Sequence, residues 1–336
     1  MVRGKKAWVG FDLGTAGIKF AVLSGNRLEE WGTGLFSRGA IAAGVIRNLD
    51  EVSRVVKEMA EEHGLKGCRA VACGGGREVI IRMIQLPKME KREFSKFLSW
   101  EIERHLPFPV DDAVYDYEIS RTFFDEEGEK VEVLLVAMRR NISRQIYDIF
   151  RNAGLNLEAI DAIPFPLFRL QGGSLARGSF MILDIGAGTT DIAVVHENIL
   201  VMFRSILIAG NMFTSAISSS VKLSFEEAEN LKKEKSFEEL EEYIRPPFND
   251  LIGEISRCFD YIIGQFRENI VKKVYITGGG GAIRGFDSAL EEELGLPVER
   301  INPLEGLSLG PVEERDFEDL KNRWGVAIGL ALRGVF

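Results

Sequence analysis

Two stretches of the chain follow one plan, and the repetition limits the folds open to it. The first is Val9-Gly10-Phe11-Asp12-Leu13-Gly14-Thr15-Ala16-Gly17-Ile18-Lys19-Phe20-Ala21-Val22-Leu23. The second is Ile182-Leu183-Asp184-Ile185-Gly186-Ala187-Gly188-Thr189-Thr190-Asp191-Ile192-Ala193-Val194-Val195. Each reads as an apolar strand, an Asp-x-Gly turn with small residues, and a second apolar strand. Asp12 corresponds to Asp184, and Gly14 to Gly186. Glycine lets a ligand approach the main chain, and consecutive turn N–H groups form a nest suited to phosphate. The hydroxyls of Thr189 and Thr190 add to the second turn. An Asp at the mouth of the strand suits a metal-bound water better than a phosphate. Taken alone, either stretch also reads as a plain hairpin with a glycine turn. Two copies in one chain point to two similar domains facing each other, both turns converging on one phosphate chain.

With 336 residues there is room for two core-forming domains. A formal charge of −9 argues against nucleic-acid binding through a basic surface. Cys68, Cys73 and Cys258 lack metal spacing and read as packed thiols. His63, His105 and His196 are scattered, so no zinc site or His-based triad is readable. No apolar run reaches the roughly 18 residues of a membrane span. The basic start (Arg3, Lys5, Lys6) is followed by an apolar stretch carrying Asp12 and Lys19, which argues against a signal peptide.

Residues 7–35 read as three strands with a turn at Gly25-Asn26. Asn48 caps a helix with Val52, Val55, Val56 and Met59 on one face, ending at Gly64. Strand Ala70–Cys73 runs into Gly74-Gly75-Gly76, read as a loop, and a further strand, Val79–Leu86, ends at Pro87. A different piece then begins. Phe94, Phe97, Leu98, Ile102 and Leu106 recur at helical spacing, and Pro107 and Pro109 stop that helix. A hairpin of Val114–Phe124 with Val131–Met138 and a helix from 142 to 153 complete a small α+β unit. Trp100, Phe108, Tyr115 and Tyr117 either line a partner groove or fill this unit's own core. Pro164-Phe165-Pro166 opens a helix, and Gly172-Gly173 begins a linker. Strand 199–208 and a helix from Met212 follow, then a helix with Ser224 as N-cap and Glu227 three residues on. Pro246-Pro247 is expected to break the charge-rich run before a helix over 249–269. Strand Val274–Thr277 feeds Gly278-Gly279-Gly280-Gly281, which permits close approach of a flat ligand such as a purine. The stretch 317–332 reads as one helix packed in the core rather than on a membrane.

Two Asp-x-Gly turns and a glycine-rich strand end, in this order, resemble the actin, sugar-kinase and heat-shock chaperone superfamily. The finer detail resembles one family, PilM, the cytoplasmic actin-like proteins of type IV pilus assembly. The similarity spans nearly the whole chain. It includes Ile80–Met89, Trp100-Glu101-Ile102-Glu103-Arg104-His105-Leu106-Pro107-Phe108-Pro109, Leu223–Lys232 and Ala327–Gly334. It implies an α/β, actin-like (ribonuclease H-like) two-domain ATPase fold with an inserted α+β subdomain of the 1C type, as in the division protein FtsA. The implied boundaries are 1–87, 156–178 and 317–336 for 1A and 88–155 for 1C. They are 179–215 and 271–316 for 2A, and 216–270 for the helical 2B.

The resemblance also implies roles. Gly14, Thr15 and Ala16 would line the β- and γ-phosphates of ATP, with Lys19 pairing electrostatically. Asp12 and Asp184 would hold Mg²⁺ through waters. Gly186, Ala187, Gly188 and Thr189 would form the second phosphate turn, and Gly210 would lie near the ribose and phosphates. Glu229 and Lys232 would stand on the adenosine side, and Gly278, Gly279, Gly280 and Ile283 would wall the adenine. The implied partner is the N-terminal cytoplasmic peptide of PilN, docked as an extended segment between 1A and 1C, with pilus motor ATPases as further partners. The implied location is cytoplasmic, held at the inner membrane by partner proteins.

Hydrolysis needs a group that orients the attacking water. Hydrolytic actin-like proteins carry a polar residue at the start of the helix before the second phosphate turn. Here alignment places Ile163 at that position, and an Ile side chain cannot orient water. ATP binding with slow or negligible turnover is therefore expected, with Asp161 as the candidate substitute. Two other readings are an FtsA-like filament, which usually carries a tethered basic helix, and a small-molecule kinase, which needs a general base. No such base is assignable.

Overall fold

The computed structural model describes residues 7–74, 79–170, 178–310 and 314–335. Arg3, Lys5, Lys6, Gly75, Gly76, Gly172 and Gly173 lie outside the described residues.

The chain opens with β1 (Trp8–Gly14), β2 (Gly17–Ser24) and β3 (Arg27–Gly34), an antiparallel meander in which β2 is buried along most of its length rather than at alternate residues. A small hairpin of β4 (Ile41–Ala42) and β5 (Val45–Ile46) precedes α1 (Leu49–Glu62). Asn48 caps α1 by accepting from the Glu51 N–H at 3.2 Å. Then come β6 (Arg69–Gly74), β7 (Val79–Pro87), α2 (Lys91–Ile102), β8 (Ala113–Asp125), β9 (Gly128–Arg139), α3 (Arg140–Asn152), β10 (Asn156–Ala162) and α4 (Pro164–Leu170). The second half runs β11 (Ser179–Ile185), β12 (Thr190–His196), β13 (Ile199–Ile206), α5 (Gly210–Val221), α6 (Phe225–Glu234) and α7 (Phe237–Phe266). It continues with β14 (Val274–Thr277), α8 (Phe286–Leu294), β15 (Val298–Arg300), β16 (Ser308–Leu309), α9 (Glu314–Arg323) and α10 (Gly325–Leu332).

The internal repeat extends to whole sheets. One is ordered β10-β6-β1-β2-β3-β16, the other β15-β14-β11-β12-β13. In both, the Asp-x-Gly hairpin is central, its first strand lies parallel to the next strand on one side, and its second pairs antiparallel with a third. The superfamily fold expected from the motifs is what forms.

Four local expectations change. β7 pairs along its whole length with β9, in a separate sheet ordered β7-β9-β8. The inserted unit's sheet therefore starts at Val79, before the boundary read at Lys88, because strand partnership is non-local. β16 pairs with β3, so Ser308 and Leu309 join the first sheet. Pro246 and Pro247 lie inside α7 instead of breaking it. Each removes one helical N–H, but Leu240, Ile244, Pro247, Phe248, Leu251, Ile255, Cys258 and Ile262 form one buried face. Phe248 stacks edge-on with Phe237 and Phe286, and this packing outweighs the lost hydrogen bonds. The 317–332 helix is two, α9 and α10, divided at Trp324, whose indole N–H donates to the Phe20 carbonyl at 3.2 Å. α10 is buried throughout against the first sheet.

Of the aromatics left open between groove and core, Phe108 is buried, with the Arg139 guanidinium 4.4 Å from its ring centroid. Trp100, Tyr115 and Tyr117 are exposed.

Candidate functional site

The two hairpins meet at their turns. β1 and β2 register Asp12 against Lys19, and β11 and β12 register Asp184 against Asp191. A Cβ on Gly188 would fall 2.6 Å from Thr15 Oγ1, so the second turn packs on the first with no room for a side chain. The start of α5 closes on the second turn as well: Gly210 N–H donates to the Gly186 carbonyl at 3.0 Å, and Asn211 N–H to the Ala187 carbonyl at 2.8 Å. The glycine-rich loop after β14 joins them, since a Cβ on Gly280 would lie 2.2 Å from the Gly186 oxygen.

These elements border a cleft of about 1040 Å³. Asp12, Gly14, Thr15, Ala16 and Lys19 line it from the first domain; Asp184, Gly186, Ala187, Gly188, Thr189 and Gly210 line it from the second. Glu229 and Lys232 of α6 and the loop Gly278, Gly279 and Gly280 complete the predicted set. Ile283 is a correction. It is 3% exposed in the second domain's core, because the turn through Gly281 and Ala282 sends it inward.

The charges are crowded. Lys19 Nζ donates to Asp12 Oδ2 at 3.2 Å. Burial pushes the Asp184 carboxyl up to about 8, with the Asp191 and Asp12 carboxylates adding to it. Burial likewise pushes Asp191 up to about 7. Asp191 Oδ1 is buried with no hydrogen-bond partner. Three carboxylates against one lysine fit a cation. Among the described residues no three acid, His or Cys side chains gather to ligate a metal directly. The donor set therefore fits Mg²⁺ held through waters and phosphate oxygens, a hydrated mode that this ion favours.

On the far wall Lys232 is 4% exposed. Its Nζ donates to Thr214 Oγ1 and Glu229 Oε2 at 2.7 Å each and to the Gly210 carbonyl at 3.2 Å. All three ammonium protons are thus used inside the protein, fixing α6 on α5. Burial pulls the Lys232 pKa down. For Glu229 burial acts upward, but attraction to Lys232 and hydrogen bonds from Lys232 and Thr214 leave its carboxyl below the usual range.

Ile163, directly before α4, lines the cleft. Asp161 is not available as its substitute: it is buried, its Oδ1 accepts from Ala162 N–H at 3.0 Å, and its Oδ2 is held by Arg169 and Arg333.

Sequence reasoning missed many of the lining groups, Asp191, Arg38, Phe225 and Arg323 among them. Asp191 was visible only as the acid flanking the second turn. Arg38, Phe225 and Arg323 carry no local motif. The Arg38 guanidinium lies 3.6 Å from the Phe225 ring centroid, joining the two sides of the cleft at its mouth. Arg323 leans on the Gly279 loop, where a Cβ would meet its Cγ at 3.3 Å.

A family profile described as type IV pilus assembly protein PilM matches residues 10–335. A solved PilM–PilN type IV pilus biogenesis complex contains a chain that superposes with a TM-score of 0.86 at 28% identity, over 99% of both chains. MreB5 of Spiroplasma citri bound to AMPPNP superposes with a TM-score of 0.58 at 15% identity, over 90% of this chain and 95% of that one, a likeness of fold. The cell shape-determining protein MreB of Pasteurella multocida is 29% identical over 163 residues, 37% of this chain and 46% of that protein. The chain thus spans less than half the length of that curated relative.

Proposed function

The chain belongs to the type IV pilus assembly protein PilM family, and from that premise we propose that it is an ATP-binding, weakly hydrolytic scaffold of the pilus assembly platform. The observation that carries the reading is the contact of Thr15 with Gly188, which sets two Asp-x-Gly turns on one cleft. In this reading the N–H groups of Gly14–Ala16 and Gly186–Thr189 receive the phosphates. Lys19 balances their charge. The Gly278–Gly280 loop walls the base, and Glu229, fixed by the buried Lys232, stands on the adenosine side. Asp12 and Asp184 would hold Mg²⁺ through waters, and the ion would supply neutralisation of phosphate charge. Ile163 faces the cleft and Asp161 is tied to two arginines. Neither of these two residues is then placed to orient a water, so in this reading bound ATP persists and fixes the angle between the domains.

The partner in this reading is the N-terminal cytoplasmic peptide of PilN, in the groove between 1A and 1C. It would hold the protein at the inner membrane, within reach of the pilus motor ATPases; among the described residues no helix is long and apolar enough to cross a membrane. Calorimetry with ATP and Mg²⁺, followed by phosphate release on the same sample, tests the site. Saturable binding with turnover far below one per second is expected; no binding, or turnover of several per second, overturns it.

A further inference from the structure

The inserted unit has an open sheet edge. β8 pairs only with β9, at the end of the order β7-β9-β8. Its start is covered, because Arg140 donates to the carbonyls of Ala113 and Asp111 at 2.7 and 3.3 Å. Beyond that the strand runs on to Asp125 with its outer edge unpaired among the described residues. A long open edge of this kind is a ready template for another strand.

The two faces of the edge differ in chemistry. Tyr115, Tyr117 and Ile119 share a face, registered against Ala137, Leu135 and Val133. It is the α2 face: the Tyr117 ring lies 5.9 Å from that of Phe94, and Val133 and Leu135 are buried with Leu98 and Ile102. The bulge between Ile119 and Arg121 shifts the alternation, so Phe124, opposite Glu129, falls on that face too. These four side chains are between 36% and 76% exposed. On the other face Asp116 and Glu118 form no ion pair among the described residues, whereas Arg121 is spent on Glu132 at 2.7 Å. One face of the edge is thus an apolar rail, and the other carries uncompensated acid.

We propose that the β8 edge is a docking site for an extended partner segment in which basic and apolar residues alternate, added as a fourth strand. Cross-strand neighbours share a face. Apolar residues of the segment would meet Tyr115, Tyr117 and Ile119, and its basic residues Asp116 and Glu118. A second copy of this chain fits poorly, because antiparallel pairing of two β8 edges sets Asp116 and Glu118 against themselves, and like charges across a ladder repel. The inference is independent of the nucleotide site and of the groove between 1A and 1C.

The test uses the full chain and two synthetic peptides of about ten residues, a usual strand length, one alternating Lys with Val and the other Glu with Val. Amide exchange over 113–125 and binding by fluorescence polarisation are read together. The Lys–Val peptide is expected to slow exchange across 114–125 and to lose affinity as salt rises. The double substitution Asp116→Lys with Glu118→Lys should weaken it by about tenfold or more. Tyr115→Ser with Ile119→Ser, which keeps the charge, should weaken it as well. All four positions are exposed, so unchanged melting curves certify the fold. Equal protection by both peptides, no protection by either, or protection that grows with protein concentration alone would overturn the proposal.

Discussion

Asp184 stands directly across the β11–β12 ladder from Asp191, at the register where the first hairpin sets Lys19 against Asp12. The repeat is therefore asymmetric in charge: one copy carries an internal ion pair, the other two facing carboxylates. Asp191 is buried and Asp184 partly so, and Asp191 keeps an oxygen unpartnered among the described residues. Asp184→Asn removes one crowded carboxylate. In metal-free protein it should raise the melting temperature by about 2–4 °C, the shift expected for roughly 1 kcal/mol. It should also abolish the additional rise that Mg²⁺ gives in the presence of ATP. Differential scanning calorimetry with and without Mg²⁺ reads both effects, and a lowered metal-free midpoint would contradict the crowding.

Gly188 touches Thr15 across the domain interface, so a larger residue acts on closure rather than on either core. Gly188→Val should cut ATP affinity by at least about a hundredfold, some 3 kcal/mol, by wedging the turns apart. Gly188 belongs to neither buried cluster, and the larger one spans both halves through Phe180, Ile182, Ala193 and Val195, so the stability loss should stay within the roughly 1–3 kcal/mol of overpacking. Calorimetric titration alongside urea unfolding separates the two.

Asp161 is tied to two arginines, whereas Ile163 lines the cleft. Asp161→Asn leaves Arg169 and Arg333 without their shared carboxylate. Arg169 is mostly buried and Arg333 about half exposed, so a cost of about 2–3 kcal/mol is expected, with phosphate release unchanged. Ile163→Gln places an amide in the cleft and should raise phosphate release severalfold. If Asp161→Asn instead slowed turnover in a folded protein, Asp161 would be orienting water after all.

The parts of this site that were legible in the sequence are those built by neighbours in the chain. Asp12 to Lys19 and Asp184 to Asp191 each make a complete strand-turn-strand unit whose backbone demands appear as glycines. The caps at Asn48 and Ser224 were readable for the same reason. What was illegible depends on distant partners. Val79–Pro87 reads as a strand, but its pairing with β9 is decided some 50 residues later. Pro246 and Pro247 signal a break that a long buried face overrules. The resemblance sets Ile283 against an adenine, yet a single turn at Gly281-Ala282 decides which way it faces. Arg38 and Phe225 lie 187 positions apart, and only the closed cleft joins them.

That contact at the mouth predicts a kinetic effect. A guanidinium over a phenyl ring contributes about 0.5–1 kcal/mol where solvent reaches it, and this pair bridges the two sides of the cleft that the proposed nucleotide would enter. Arg38→Ala should speed dissociation of a fluorescent ATP analogue by about two- to fivefold and leave the melting temperature nearly unchanged. Phe225→Leu keeps the apolar bulk but loses the ring and should have the same effect. An unaltered off-rate in both would mean that the cleft opens elsewhere.

The helical region carries a separable pH signature at Glu239. Hydrogen bonds from Lys235 and from the N–H and hydroxyl of Ser236 hold its carboxyl down at about 2, against an ordinary 4.5. A depressed folded-state pKa means the unfolded chain binds the proton more readily, so the contribution is fully present above about pH 4.5 and is lost as pH falls towards 2. Glu239→Gln should therefore lower the melting temperature at neutral pH, because the capping box that starts α7 loses its charge. The gap between variant and parent should close as the pH drops through that window. Melting curves of both proteins from pH 7 down to pH 2 measure it directly. A gap that stayed constant with pH would show that the side chain caps α7 by shape alone, since glutamine matches glutamate in size and cannot titrate.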